Sequence, residues 1–331
     1  MLIVHPSHRL PRLLAAAAVA LALLPAGGAA GNPLDSLVGG RASIPADART
    51  AETLGREREG SGVVIGEDGM VLTIGYLIME SVNVELLLPD GREVPAEVAA
   101  YDYDTGFGLV RPLVALDLVP VAFGESDAFA EDSRVLVASF DGAVSTTPAI
   151  VVSRRDFAGY WEYLLPDAIF TSPPHRGFGG AALLGPQGQL LGIGSLVVGD
   201  ALPQSQPLPG NMFVPIDALK PIFAELQRSG RSTGSQRPWL GLFSEVHRGN
   251  VFITRVAPEG PAATAGIAAD DLVVAVGGER VRSLIEFYRA VWALGAPGVS
   301  VPLTLLGAGG LREVEVRSAD RYDYLKLQST Y

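Results

Sequence analysis

Hydrophobic and polar positions alternate in short runs along most of this chain, and turn residues separate the runs. Val63-Val64-Ile65 leads into Asp68-Gly69, and Val71-Leu72-Thr73-Ile74 follows. Val82 to Leu88 alternates, turns at Asp90-Gly91 and resumes from Val94 to Ala99. An Asp-Gly pair between apolar runs predicts a hairpin, because the tight turn needs positive φ. Further runs cover Val135 to Ala138, Ala149 to Val152, Leu183-Leu184 and Leu190 to Val198, with turns at Asp141-Gly142 and Gln187-Gly188. Strands this short and regular, over about 160 residues, predict an all-β barrel or sandwich.

Near Pro215 the period lengthens. Ile216, Leu219, Ile222, Phe223 and Leu226 fall on one helical face, with Asp217 as the expected N-cap and Ser229-Gly230 as the end. Residues 231–236 have the composition of a flexible linker. A second module follows. Strands are expected near Leu240 to Val246, Val251 to Val256, Leu272 to Val276, Val301 to Leu306 and Val314 to Val316. A small-residue helix is expected around Pro261 to Gly266, and a second helix, capped by Ser283, carries Leu284, Phe287, Val291 and Leu294 on its apolar side.

The first thirty residues read differently. His8, Arg9 and Arg12 precede an apolar run from Leu13 to Leu24, and Pro25 opens a stretch of small residues. That is the pattern of a cleaved secretory signal, and the apolar run is too short for a membrane span of about 20 residues. The chain has 331 residues, enough for two domains with cores of their own. A net charge of −11 argues against nucleic acid, which demands concentrated positive charge. Cysteine is absent, which removes disulfides, thiolate metal sites and a cysteine nucleophile together. No spacing of ligating residues predicts a metal or another cofactor.

Several motifs carry a resemblance when taken in order. Gly60-Ser61-Gly62-Val63-Val64-Ile65 precedes Val71-Leu72-Thr73. Gly91-Arg92 precedes Ala100-Tyr101-Asp102-Tyr103-Asp104-Thr105. Arg176-Gly177-Phe178-Gly179-Gly180-Ala181 is followed by Gly192-Ile193-Gly194 and Phe213-Val214-Pro215-Ile216. Trp239-Leu240-Gly241-Leu242, Ala257-Pro258-Glu259-Gly260-Pro261 and Ala265-Gly266-Ile267 complete the series. Over roughly residues 58–317 the chain resembles the HtrA/Deg serine proteases. The resemblance implies a mainly β fold, a trypsin-like double β-barrel followed by an α+β PDZ domain. The expected organisation is a signal peptide at 1–30, a leader at 31–57, the barrels at 58–228, a linker at 229–237, the PDZ domain at 238–317 and a surface tail at 318–331.

That family's chemistry needs a nucleophilic Ser, a His that accepts its proton and an Asp that orients the His. The resemblance puts Tyr76 at the position of the His, Gly106 at the Asp and Gly179 at the Ser, with Phe178 in place of Gly179 if the alignment shifts by one. The only histidines are His5, His8, His175 and His247, so the first barrel, which should supply the base, has none. The expected catalytic set is therefore empty. Gly177 and Gly179 either keep an oxyanion-hole loop of backbone N–H groups or merely hold its turn. Asp104 is read as a solvated loop carboxylate and His175 as an ordinary loop histidine.

PDZ domains add a peptide strand to a sheet edge and capture its terminal carboxylate on backbone N–H groups. Resemblance assigns that loop to Trp239, Leu240, Gly241 and Leu242, and the opposite wall to Leu284 and Tyr288, although Leu284 also fits a core stripe with Phe287 and Val291. The expected function is an exported, periplasmic serine-protease homologue that binds peptides or protein C-termini without cutting them. It would regulate or co-assemble with an active HtrA-like protease, with a homotrimer as the family's assembly. An active endopeptidase of protein quality control and a chaperone-like holder of unfolded proteins are the alternatives.

Overall fold

Residues 31–203, 208–232, 236–325 and 327 are described by a computed structural model. The signal segment therefore lies outside the described residues. Six antiparallel strands close the first barrel: β1 (Leu37–Ser43), β2 (Glu57–Val64), β3 (Val71–Ile74), β4 (Asn83–Leu87), β5 (Glu93–Tyr101) and β6 (Phe107–Pro112). Strand β1 corrects the expected leader. It pairs with β2 from Leu37 opposite Val63 and with β4 from Gly39 opposite Leu87, so the barrel closes through it. Leu37, Val38 and Ala42 are buried, but Gly39-Gly40-Arg41 interrupts the alternation that would have marked a strand.

The second barrel contains β7 (Arg134–Phe140), β8 (Val144–Gly159), β9 (Tyr163–Ser172), β10 (Ala182–Leu184), β11 (Leu190–Leu202) and β12 (Leu208–Pro215). Strand β9 has no counterpart among the expected runs. Pro166 lies inside it, where proline ordinarily argues against a strand. The chain accommodates the proline at a bulge: the register shifts between Arg155 and Phe157 on β8, and Asp167 has a φ of 50°. Beyond the bulge, β8 and β9 continue together to Gly159 opposite Tyr163, and the hairpin leaves the barrel. Its end belongs to the next domain, because Leu164 is buried in the PDZ core and Ala158 packs on it.

Pro215 is followed by a 3-10 turn at Ile216–Ala218, and the α-helix begins only at Phe223–Ser229. Asp217 is not an N-cap. Its carboxylate accepts hydrogen bonds from Ser126 Oγ and Asp127 N, tying the turn to the second barrel. Pro221 explains the late start, because the residue before a proline is disfavoured in the α region. Gly230, left-handed with φ 74°, ends the helix by donating to the Leu226 carbonyl.

The PDZ domain contains β13 (Leu242–His247), β14 (Asn250–Val256), β15 (Leu272–Val276), β16 (Glu279–Arg280), β17 (Ser300–Gly307) and β18 (Gly310–Arg317). The sheet order is β13-β14-β15-β17-β18, which leaves β13 on an edge. The helix Leu284–Trp292 packs beside it. Ser283 Oγ caps that helix by accepting from Glu286 N at 3.1 Å, as the sequence predicts.

The expected surface tail is also corrected. Trp239 and Ala319 exchange backbone hydrogen bonds, and Asp320 caps a helical turn at Arg321–Tyr324. The Tyr322 hydroxyl donates to the Tyr101 carbonyl and accepts from Tyr103 N, both at 3.0 Å. Leu325 is buried against Met79 and Tyr101 of the first barrel. Five tyrosines and two leucines share this cluster with Met79, so aromatic burial holds down the segment expected as a surface tail. Tyr322→Phe is expected to cost about 1–2 kcal/mol, because it removes one bond and strands the Tyr103 amide. Hydrogen exchange over residues 320–325 checks this, as faster exchange in the variant with the core unaffected.

Candidate functional site

Tyr76 and Gly179 do meet. Tyr76 follows β3 in a 3-10 turn, and its hydroxyl donates to the Ser195 carbonyl at 2.9 Å. A Cβ on Gly179 would stand 3.0 Å from that hydroxyl, so of Phe178 and Gly179 it is Gly179 that faces Tyr76. Burial pushes the Tyr76 phenol well above its ordinary pKa, and the phenol already spends its proton on a carbonyl. It does not accept a proton at neutral pH. Gly106, with φ 84°, lies beside Tyr163, whose hydroxyl would be 3.3 Å from a Cβ there and donates to the Thr105 carbonyl at 2.6 Å. Two tyrosines thus stand in the region where the resemblance puts a His and an Asp.

The glycine loop is pinned from behind. Ser61 N donates to the Gly179 carbonyl at 2.8 Å, and Gly180 N donates to the Gly194 carbonyl at 2.9 Å. Gly180 has φ 74°, and a Cβ on it would sit 1.9 Å from the Ser61 carbonyl oxygen. Only glycine fits there. Gly177 lies over Ser139, whose Oγ would be 2.6 Å from a Cβ at that position.

Beneath this loop lies an arrangement that the sequence did not suggest. His175 is no ordinary loop residue: Nε2 pairs with Ser139 Oγ and Nδ1 with Thr147 Oγ1, each at 2.8 Å. Ser139 and His175 are each only 3% exposed, so the pair is sealed under the surface. Burial holds the imidazole below its ordinary pKa, partly offset by Asp141. The His175 backbone is tied to the Asn211 side chain in both directions, at 2.6 and 3.1 Å. Ser139→Ala is expected to cost about 1–2 kcal/mol, since it leaves a buried ring nitrogen without its partner. Urea unfolding measures that loss. Asp104 is likewise not a solvated carboxylate, because it pairs with Arg237 at 3.2 Å. Among the described residues no group of three or more His, Asp or Glu is placed to hold a metal ion.

The peptide groove holds a segment of the chain itself. Glu162, at the end of the β8–β9 hairpin, accepts from Leu240 N at 3.0 Å and from Leu242 N at 2.6 Å. Those are amides of the carboxylate-binding loop read from the sequence, and Gly241 between them has φ 82°. Along the free edge of β13, Ser244 N donates to the Tyr160 carbonyl at 2.8 Å. From the opposite wall the Tyr288 hydroxyl donates to the Gly159 carbonyl at 2.7 Å and accepts from Glu162 N at 3.3 Å. Residues 159–162 therefore imitate a captured chain end, with a side-chain carboxylate in place of the terminal one. Glu162 is 7% exposed with φ 55°, and burial pushes its carboxyl up to about 7, against the pull of the Leu240, Leu242 and Gly241 amides.

Of the residues expected to bind peptide, Leu240, Gly241, Leu242 and Tyr288 surround this hairpin. Leu284 is half-buried against the PDZ core. Trp239 faces elsewhere, with its ring 4.5 Å from that of Tyr324 in the tail. Glu162 was missed altogether. The signal for it was the cluster Tyr160-Trp161-Glu162-Tyr163, a carboxylate among aromatics with no strand expected on its far side.

Between Tyr76 and the PDZ domain lies a cavity of about 280 Å³. The barrels contribute Tyr76, Gly106 and Leu196, the PDZ domain Trp239 and Arg255, and the tail Arg321. No described helix is long and apolar enough to cross a membrane.

Comparison with known proteins matches residues 60–193 to the trypsin-like peptidase domain and residues 252–306 to the PDZ domain. The periplasmic pH-dependent serine endoprotease DegQ of Escherichia coli (strain K12) is 30% identical over 267 residues, covering 78% of this chain and 58% of that protein. The serine endoprotease DegS of Haemophilus influenzae is 25% identical over 269 residues, covering 78% of this chain and 76% of DegS. The chain thus spans little more than half the length of DegQ. Among solved structures, a serine endoprotease from Yersinia pestis aligns with a TM-score of 0.52 at 21% identity, over 87% of this chain and 95% of that one. The HtrA-type protease AlgW with tripeptide aligns at 0.53 and 18% identity, over 88% and 95%. At such identities the structural likeness speaks for the fold alone.

Proposed function

This chain is a homologue of the HtrA-type serine proteases, a trypsin-like peptidase domain joined to a PDZ domain, and from that premise we propose that it binds peptides without cutting them. The observation that carries the reading is the meeting of Tyr76 with Gly179, a proton-donating phenol against a residue with no side chain. Acyl transfer needs a nucleophile and a base that takes its proton, and losing such a pair costs on the order of 10⁴–10⁶ in rate. Purified protein should give no cleavage of unfolded casein and no labelling by a fluorophosphonate probe. Either signal, traced to this chain, ends the reading.

Binding would pass through the PDZ groove. Its loop amides already hold a carboxylate, which supports recognition of chain ends, and the occupant is part of the same chain. An outside terminus must therefore displace residues 159–162. The groove is a guarded site, and binding becomes strong where the hairpin is drawn away, as by assembly with an active HtrA-like protease. The periplasmic location named for DegQ supports an exported, periplasmic setting, and the family resemblance makes a homotrimer the expected assembly.

One observation favours the second reading, an active endopeptidase: Ser139 beside His175 under the glycine loop. Hydrolysis by this pair would require the loop to lift. If cleavage is found and Ser139→Ala abolishes it while the protein stays folded, the activity belongs there.

A further inference from the structure

The cavity at the relict cleft has a composition unlike the rest of the molecule. Nine of its lining residues are aromatic, three are arginines and none is acidic, in a chain with a net charge of −11. The aromatic rings come from three places. Tyr76, Tyr101 and Tyr163 stand in the barrels, Trp239 and Phe243 in the PDZ domain and Tyr324 in the tail. Tyr76 and Gly106, at two of the triad positions, line this chamber but do not enclose it. It exists because the PDZ domain and tail close over the cleft, so it is a product of the whole fold.

The arginines are the telling part. Arg321 half-buries its guanidinium over the Tyr103 ring, 3.4 Å from the centroid, and donates to the Trp161 and Glu162 carbonyls. Burial lowers its pKa to about 9, and among the described residues no carboxylate lies within ion-pair reach. Arg255 stacks 3.5 Å from the centroid of Phe243 and has no ion pair among the described residues either. Arg49 pairs with Glu259 at 2.6 Å, yet its Nε is buried with no hydrogen-bond partner. Of the three, Arg321 is the buried guanidinium without a carboxylate, a costly arrangement unless an anion completes it, and Arg255 stands exposed at the chamber wall where an anion can reach it. Aromatic walls meanwhile supply apolar area and stacking faces.

We propose that this chamber binds a small organic acid, a single anionic group on a compact aromatic or aliphatic body, with the anion at Arg255 and Arg321 and the body among the rings. The proposal does not rest on the PDZ groove or on the loss of catalysis, because the chamber is described by its own walls. A volume of about 280 Å³ lies at the lower end of small-molecule pockets, roughly 300–1,000 Å³, and suits a body of naphthalene size.

The test uses the full chain and two probes of similar shape: anionic 1-anilinonaphthalene-8-sulfonate and neutral N-phenyl-1-naphthylamine. Titration calorimetry should find one sulfonate site per chain, with the neutral analogue at least 10-fold weaker. Arg255→Ala should weaken the sulfonate about 10-fold or more and leave the neutral probe within 3-fold, consistent with a charge-assisted contact. Leu196→Trp, which places an indole in the chamber, should abolish both. Matched thermal unfolding of each variant establishes that the fold is retained. Sulfonate binding unchanged in both variants, equal affinity for the two probes, or several equivalent sites overturns the proposal.

Discussion

Glu162→Ala should raise the affinity of the PDZ domain for a hydrophobic C-terminal peptide about 100-fold. The Glu162 carboxyl group occupies two buried amides of the loop, and a buried donor left without its acceptor costs about 1–3 kcal/mol. Deleting both returns roughly 3 kcal/mol to an incoming terminus, because a peptide's apparent affinity falls with the fraction of open groove. Fluorescence anisotropy with a labelled peptide measures the change. An unchanged affinity, with both proteins folded, would show that the hairpin does not compete for the groove. Hydrogen exchange at Leu240 and Leu242 gives an independent reading, since those amides lose their acceptor.

The second large effect is a pH dependence of the same contact. Docked Glu162 has its pKa pushed up to about 7 by burial, against an ordinary value of 4.5. The docked state binds the proton more tightly, so docking is strongest below about pH 4.5 and weakens as pH rises towards 7. Above that it levels off. A shift of that size corresponds to about 3 kcal/mol. Peptide affinity should therefore climb between pH 5 and about pH 7.5, since a free terminal carboxylate stays ionised throughout. The neighbours do not add to this window, because burial raises the Tyr288 phenol and leaves Arg321 near 9. Glu162→Gln removes the titrating group while keeping an acceptor, so its peptide affinity should be flat over that range. A slope that survives the substitution assigns the effect to another group.

Legibility divided along physical lines. The hairpins at Asp68-Gly69 and Asp90-Gly91 were readable because positive φ restricts the residue choice; Gly69 and Gly91 have φ of 81° and 84°. The Ser283 cap was readable because a side-chain acceptor before a helix is a local event. Strand β1 was not, because Gly39-Gly40-Arg41 has no alternation and the strand exists only through its partners β2 and β4. Strand β9 was hidden by Pro166, which a bulge absorbs. His175 looked isolated because Ser139 and Thr147 lie 36 and 28 residues away.

The amino-acid sequence alone determined what chemistry is available: which residue types stand at the positions the resemblance assigns, that the first barrel has no histidine, and which loop the resemblance assigns to carboxylate capture. These follow from residue identity and local backbone preference, which do not depend on distant partners. Tertiary structure decided what those groups meet. Glu162 reaches Leu240 and Leu242 across 78 and 80 residues, and the tail reaches Tyr101 across 221. Such contacts form where two surfaces exclude water together, and no one-dimensional pattern records which surfaces those will be.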